Sequence, residues 1–315
     1  MLLFSDRQAV AQSTQQPSKL SSNPDEVRFI TTDITNFWAA YDKAASGDKT
    51  AVFQQEYFDK GSPGLRAFAL LKIGNVRSLV NAINAYPRYY ASIRQSTLRV
   101  ASMEGRIRES FRKLKSIYPD AVFPDVYFVI GRLSSGGTTG LNMLLIGTEM
   151  FGKTDDPSIS ELTAWHKQVL RSIDDLPAIV AHELIHCEQK YPANTLLEKA
   201  IQEGSADFIG EMICGRSINH HLKDYGRAHE RELWEEFRQA MHKTDTSEWL
   251  YNGNSSRDRP ADLGYYIGYR IAEAYYKRAA DKKQAVKDIL NIGSFEQFVE
   301  ASGYGKQFAK QQAAR

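Results

Sequence analysis

His182-Glu183-Leu184-Ile185-His186 is the stretch from which the rest of the chain is best read. At 3.6 residues per turn, His182 and His186 fall on one helical face about 6 Å apart along the axis, so both imidazoles reach one metal ion. Glu183 points roughly 100° away from His182, which suits it to hold a metal-bound water as a general base better than to serve as a third ligand. The segment is otherwise apolar, through Ile179, Val180, Leu184 and Ile185. Three polar site residues buried there without partners would be costly, and a bound Zn2+ supplies the compensation. The plainer alternative is a core helix with two hydrogen-bonded histidines. Asp174 and Asp175 before Pro177 mark the start of the helix, and Pro192 marks its stop.

The next segment, Thr195 to Asp207, offers three carboxylates of different kinds. Glu198 stands three residues after Thr195 and is explained by a capping box. Glu203 and Asp207 are four apart and share a face, so Glu203 is read as the third metal ligand and Asp207 as the residue orienting a ligating histidine. Solvated helix-face acids are the alternative for both. Gly204 and Ala206 beside them are small enough to let another helix approach closely.

HELIH followed 17 residues later by Glu203 in Glu-Gly-Ser-Ala-Asp resembles the gluzincin metallopeptidases. The stretch from 120 to 315 is similar to DUF2268, a family of predicted bacterial zinc-dependent proteases. The resemblance implies a zincin-like catalytic domain whose small sheet lies over the active-site helix. Val126–Ile130 or Leu141–Ile146 would be the sheet edge that pairs with an extended substrate. It also implies an oxyanion-stabilising tyrosine. Tyr265, three residues before Gly268, fits that role, with Tyr269 as second choice and an aromatic packing face as the alternative. The amine-recognising Gly-x-Met-Glu-Asn of the aminopeptidase branch is absent, so aminopeptidase activity is not implied. His220, His221 and His229 read as surface residues, and Arg257 and Arg259 are left without a role.

Around this centre the chain reads as α+β and mostly helical. Residues 1–24 are rich in Ser, Gln and Pro and read as a disordered leader or signal remnant; Ala9-Val10-Ala11 supplies an A-x-A cleavage pattern. Residues 25–118 form an N-terminal helical region, including one amphipathic basic helix from Arg94 to Lys115. Residues 119–315 form the metallopeptidase domain. It opens with strands joined by a turn at Ser134-Ser135-Gly136-Gly137.

The 315 residues are 42% hydrophobic and 25% charged, as in an ordinary globular protein. Lys and Arg number 40 against 38 Asp and Glu, and the net charge of +2 gives no general electrostatic reason to bind nucleic acid. No apolar run is long enough for a membrane span. Two cysteines, Cys187 and Cys214, exclude a disulfide framework.

These readings predict an exported protein, periplasmic or secreted, with a cytoplasmic location as the alternative. The expected activity is zinc-dependent peptide hydrolysis. Zn2+ would be held by His182, His186 and Glu203, with Glu183 as base, Tyr265 at the oxyanion and a peptide or protein as substrate. A non-catalytic metal-binding or structural protein and an amidohydrolase of a non-peptide amide stand as the alternatives. Oligomeric state is not legible.

Overall fold

Gly and Pro punctuate the first third of the sequence, and the helices follow those breaks. The computed structural model describes residues 20–153, 160–253 and 259–308. Most of the expected leader, residues 1–19, and Arg257 with Asp258 lie outside them. The first elements are β1 (Phe29–Ile30), α1 (Thr32–Lys43), α2 (Lys49–Phe53), α3 (Pro63–Phe68), α4 (Val76–Ala85) and α5 (Pro87–Ser92). Asp48, Ser62 and Asn75 cap the N-termini of α2, α3 and α4 with their side chains, and Pro63 and Pro87 occupy the first turns of α3 and α5.

The basic helix expected from Arg94 to Lys115 is not continuous. It forms as α6 (Arg94–Leu98), a 3-10 segment (Arg99–Met103) and α7 (Glu104–Ile117). Thr97 is buried, donates to the Arg94 carbonyl at 3.0 Å and accepts from Trp38 Nε1 at 3.0 Å. Ser102 likewise donates back to the Arg99 carbonyl at 2.6 Å. Such local bonds compete with the regular helical ladder.

Three strands follow: β2 (Asp125–Val129), β3 (Gly137–Gly140) and β4 (Met143–Gly147), and the sheet order is β1-β2-β4-β3. β1 and β2 run parallel, as do β2 and β4, while β3 is antiparallel to β4. Every residue of β2 and β4 is buried, as expected of interior strands with near-continuous apolar runs. The expected sheet edge is therefore corrected: Val126–Ile130 and Leu141–Ile146 supply central strands, and β1 and β3 are the edges. The turn is corrected with it. Leu141 and Asn142 carry φ of 50° and 58°, the two left-handed residues that a two-residue hairpin requires, so the Ser-Gly-rich segment leads into a strand.

The later elements are α8 (Ala164–Val169), α9 (Leu176–Glu188), α10 (Leu196–Cys214), α11 (His220–Ala228), α12 (Glu230–Ala240), α13 (Leu263–Arg278), α14 (Lys282–Leu290) and α15 (Phe295–Ser302). The fold is α+β and mostly helical with one small four-stranded sheet. Among the described residues no helix is long and apolar enough to cross a membrane.

The chain falls into two compact units. One comprises residues up to 112 with 122–183, and the other comprises 113–121 with the residues from 184 onward. The division passes through α7 and α9, so each of these helices belongs to both. The first unit holds the sheet and an aromatic cluster around Phe37, whose ring lies 5.0 to 6.2 Å from those of Trp38, Phe53, Tyr57 and Tyr90. The second unit is built on the crossing of α10 and α13. A Cβ at Gly204 would lie 2.0 Å from the Tyr269 nitrogen, and one at Gly268 would lie 1.7 Å from the Ala200 oxygen. The close helix approach expected at Gly204 is made to α13, backbone against backbone.

Candidate metal centre

α9 is apolar on nearly every side and buries Ala178, Val180, Ala181, Leu184 and Ile185, as a helix that is hydrophobic all round must. A 3-10 turn, Ile173–Asp175, feeds it, with the Ser172 hydroxyl accepting from the Asp174 nitrogen. α10 starts on the capping box that the sequence announces. Thr195 accepts from the Glu198 nitrogen, and the Glu198 carboxylate accepts from the Thr195 nitrogen at 3.2 Å. Thr195→Ala is expected to lower the unfolding free energy by about 1 kcal/mol, read as a shift in urea midpoint without a change in slope.

These two helices bring His182, His186 and Glu203 together. One ligand atom from each lies within 4.8 Å of the other two. His186 Nε2 is 3.3 Å from Glu203 Oε2. Two ligands bound at about 2.1 Å in a tetrahedral site stand about 3.4 Å apart, so this pair already has the spacing of a tetrahedral edge. His182 and Glu203 are buried.

The orientation of the His186 ring follows from its neighbour. Gln189 Nε2 donates to the Gln202 carbonyl at 2.7 Å and to Ser205 Oγ at 3.0 Å. A carbonyl only accepts, so that end of the amide is the NH2 and Gln189 Oε1 faces His186 Nδ1, at 2.8 Å. Nδ1 therefore carries the proton in this contact. Nε2 faces Glu203 Oε2 at 3.3 Å, and Gln189 orients the ring through the other nitrogen as a partner orients a ligating imidazole. Two imidazoles and a carboxylate whose ligand atoms lie within 4.8 Å of one another form a donor set that fits a divalent ion.

Glu203 has a second partner. The Tyr251 hydroxyl donates to Oε1 at 2.6 Å. Tyr251 packs edge-on against Tyr265, with ring centroids 6.4 Å apart. Burial, and then the charge of Glu203, push the Tyr265 hydroxyl well above the ordinary tyrosine range. Asp207 is buried and accepts from Asn219 Nδ2 at 2.7 Å. Glu183 lies against the sheet edge, where a Cβ at Gly137 would fall 2.6 Å from its Oε1. Tyr269 takes Lys223 over its ring at 3.9 Å, and Arg259 bonds Glu236 at 2.6 Å. His220 and His221 are exposed, and both cysteines are free thiols.

Gln189 and Tyr251 were not anticipated from the sequence. Gln189 was legible, because it stands three residues after His186 on the same helical face. Tyr251 lies in an irregular segment with no periodicity to announce it.

The sequence model of a lipoprotein family, GldB_lipo, described as gliding motility protein GldB, matches residues 30–306. The chain belongs to this family. No curated protein and no solved structure gives a significant match. Membership in the gliding motility GldB family corrects the resemblance to gluzincins and DUF2268. It also corrects the reading as a zinc metallopeptidase or hydrolase, because the match covers the helical region and the centre together and points to motility. The roles of Glu183 as base and Tyr265 as oxyanion partner depended on that reading and are not carried forward. The physical reason is that HExxH with a helical glutamate specifies donor placement, which a metal site needs whether or not it performs hydrolysis. The lipoprotein character of the family agrees with the expected export.

Proposed function

We propose that this chain is a non-enzymatic cell-envelope component serving gliding motility, and that its core holds one Zn2+ on His182, His186 and Glu203. The motility half is supported by the family match over residues 30–306. The metal half is supported by one observation above all, the convergence of three ligand atoms within 4.8 Å on two helices. Zn2+ bound there would neutralise Glu203 and link α9 to α10 through side chains that are already oriented. Gln189 fixes His186, and Asp207 is the candidate for holding His182. The scaffold is zincin-like in the restricted sense that an antiparallel edge strand passes the motif helix at Glu183. The lipoprotein family supports export to the cell envelope as its place of work.

Metal analysis of the full chain after purification is expected to give about one zinc per chain, and His186→Ala is expected to give none. Zinc at about 100 times its dissociation constant should raise the unfolding free energy of the chelator-treated protein by about 3 kcal/mol. Wild-type protein that takes up no divalent ion would overturn the metal centre. In a gliding bacterium carrying the gene, deletion is expected to abolish surface spreading, and full spreading in the deletion strain would overturn the motility role.

A further inference from the structure

The two oxygens of Glu203 are treated differently. Oε2 faces His186 Nε2 at 3.3 Å, whereas Oε1 accepts from the Tyr251 hydroxyl at 2.6 Å. The residue making that second bond is unusual in two respects. Tyr251 is 42% exposed, although its hydroxyl reaches a carboxylate that is 5% exposed. Its backbone is also left-handed, with φ 57°, a conformation that favours glycine and disfavours a bulky aromatic residue.

A local clasp maintains that conformation. The Asn252 nitrogen donates to Asp262 Oδ1 at 3.2 Å, and the Asp262 nitrogen donates to Asn252 Oδ1 at 2.8 Å. Asp262 is itself left-handed, with φ 62°. The chain is thus pinned at both ends of the 252–262 segment, with buried Trp249 and Leu250 anchoring the preceding residues. Strain held in place by such surrounding bonds is a mark of a functional position. What the strain accomplishes here is delivery of one phenolic O–H to one carboxylate oxygen.

We infer that Tyr251 is a positioning residue for the metal centre: by holding Oε1 it presents Glu203 to the ion through Oε2 alone. This rests on the metal-centre reading and adds to it a rule for ion choice. Zn2+ in a four-coordinate site takes one carboxylate oxygen at about 2.0–2.2 Å. Larger, harder ions are satisfied by carboxylates that bind through both oxygens. With Oε1 tied to Tyr251, two-oxygen binding by Glu203 requires that bond to break, so the tyrosine biases the site toward Zn2+ over Mn2+. Tyr265 contributes by supporting the Tyr251 ring edge-on.

The test uses the full chain, stripped of metal and titrated with Zn2+ against Mn2+, and separately with Co2+ as a spectroscopic probe. Tyr251→Phe is expected to retain one ion per chain and to lower the Zn2+ to Mn2+ preference about tenfold. Its Co2+ absorption should weaken from the intense four-coordinate pattern toward that of higher coordination. Asn252→Ala, which releases the clasp and keeps the phenol, should shift the same spectrum in the same direction, and it serves if Tyr251→Phe fails to fold. Unchanged preference and spectrum in these variants would overturn the role of Tyr251 while leaving the metal centre standing. Absence of metal from the wild type would overturn both.

Discussion

Gly268→Ala is expected to destabilise the protein by about 3 kcal/mol or more and to remove metal binding with it. The added methyl carbon would sit 1.7 Å from the Ala200 oxygen and 2.4 Å from the Ala200 carbon, and these atoms belong to backbone, not to a side chain that can swing away. Gly204 makes the reciprocal approach, with the Tyr269 nitrogen at 2.0 Å and the Gly268 carbon at 2.2 Å from its would-be Cβ. Relief therefore demands that α10 and α13 move apart. Overpacking usually costs about 1–3 kcal/mol, and a rigid obstacle on both helices puts this substitution at or beyond the top of that range. Against a typical total of about 5–15 kcal/mol, the loss is large. Glu203 is adjacent to Gly204 on α10, so separation of the helices also shifts the carboxylate away from His186. Gly105→Ala is the control: nothing lies within 4 Å of that Cβ, and alanine in α7 should stabilise by about 0.5–1 kcal/mol. Urea unfolding of both variants checks this. A loss at Gly268 no greater than about 0.5 kcal/mol would mean that the crossing is not close-packed as described.

What the sequence made legible follows from how local each signal is. The motif helix, the Thr195–Glu198 capping box and the small residue at Gly204 are decided within a few residues, and all three form, although the helix ends at Glu188, short of Pro192, and Asp174 and Asp175 lie in the 3-10 turn before it. The sheet edge was misread because Gly136-Gly137 resembles a turn, whereas the left-handed residues are Leu141 and Asn142, whose side chains give no such hint. The unbroken apolar runs of β2 and β4 did carry the correct information, since an edge strand with a solvent face would alternate. Tyr251 could not be found this way, because its place beside Glu203 depends on the 252–262 clasp. The functional reading failed for a related reason. Three donors and a neighbouring glutamate fix a geometry at a point, but the use made of it is set by surfaces elsewhere in the chain, which no five-residue pattern encodes.

The stability of the wild type relative to Glu149→Gln is expected to fall by about 3 kcal/mol as pH rises from about 4.5 to 8. Glu149 is fully buried in the 3-10 turn, Thr148–Phe151, that follows β4, and its backbone carbonyl accepts from the Tyr89 hydroxyl at 2.7 Å. Its carboxyl receives the Gly131 nitrogen at Oε2, 2.8 Å, and the Leu133 nitrogen at Oε1, 3.2 Å. Tyr57 and Tyr90 bond the adjoining Ile130 and Gly131 carbonyls and bring no positive charge. Burial therefore prevails over the bonds from the Gly131, Glu149 and Leu133 backbone and pushes the carboxyl from an ordinary 4.5 up to about 7. Below about 4.5 the acid is protonated in both the folded and the unfolded chain, and its contribution is fully present. Between 4.5 and about 7 the unfolded chain releases this proton while the folded one keeps it, so folding takes up a proton and stability declines by about 1.4 kcal/mol per pH unit. Above about 7 both states are ionised and the decline from this group ends. Glutamine does not titrate, so the difference between the two proteins isolates this group from every other acid. The amide also turns its NH2 toward one of the two backbone donors, which makes the variant the weaker protein at acid pH. The gap should then narrow as the wild-type carboxylate ionises inside the sheet corner. Parallel urea titrations across this pH range provide the measurement, and a difference that stays flat would show that Glu149 ionises as readily in the fold as in water.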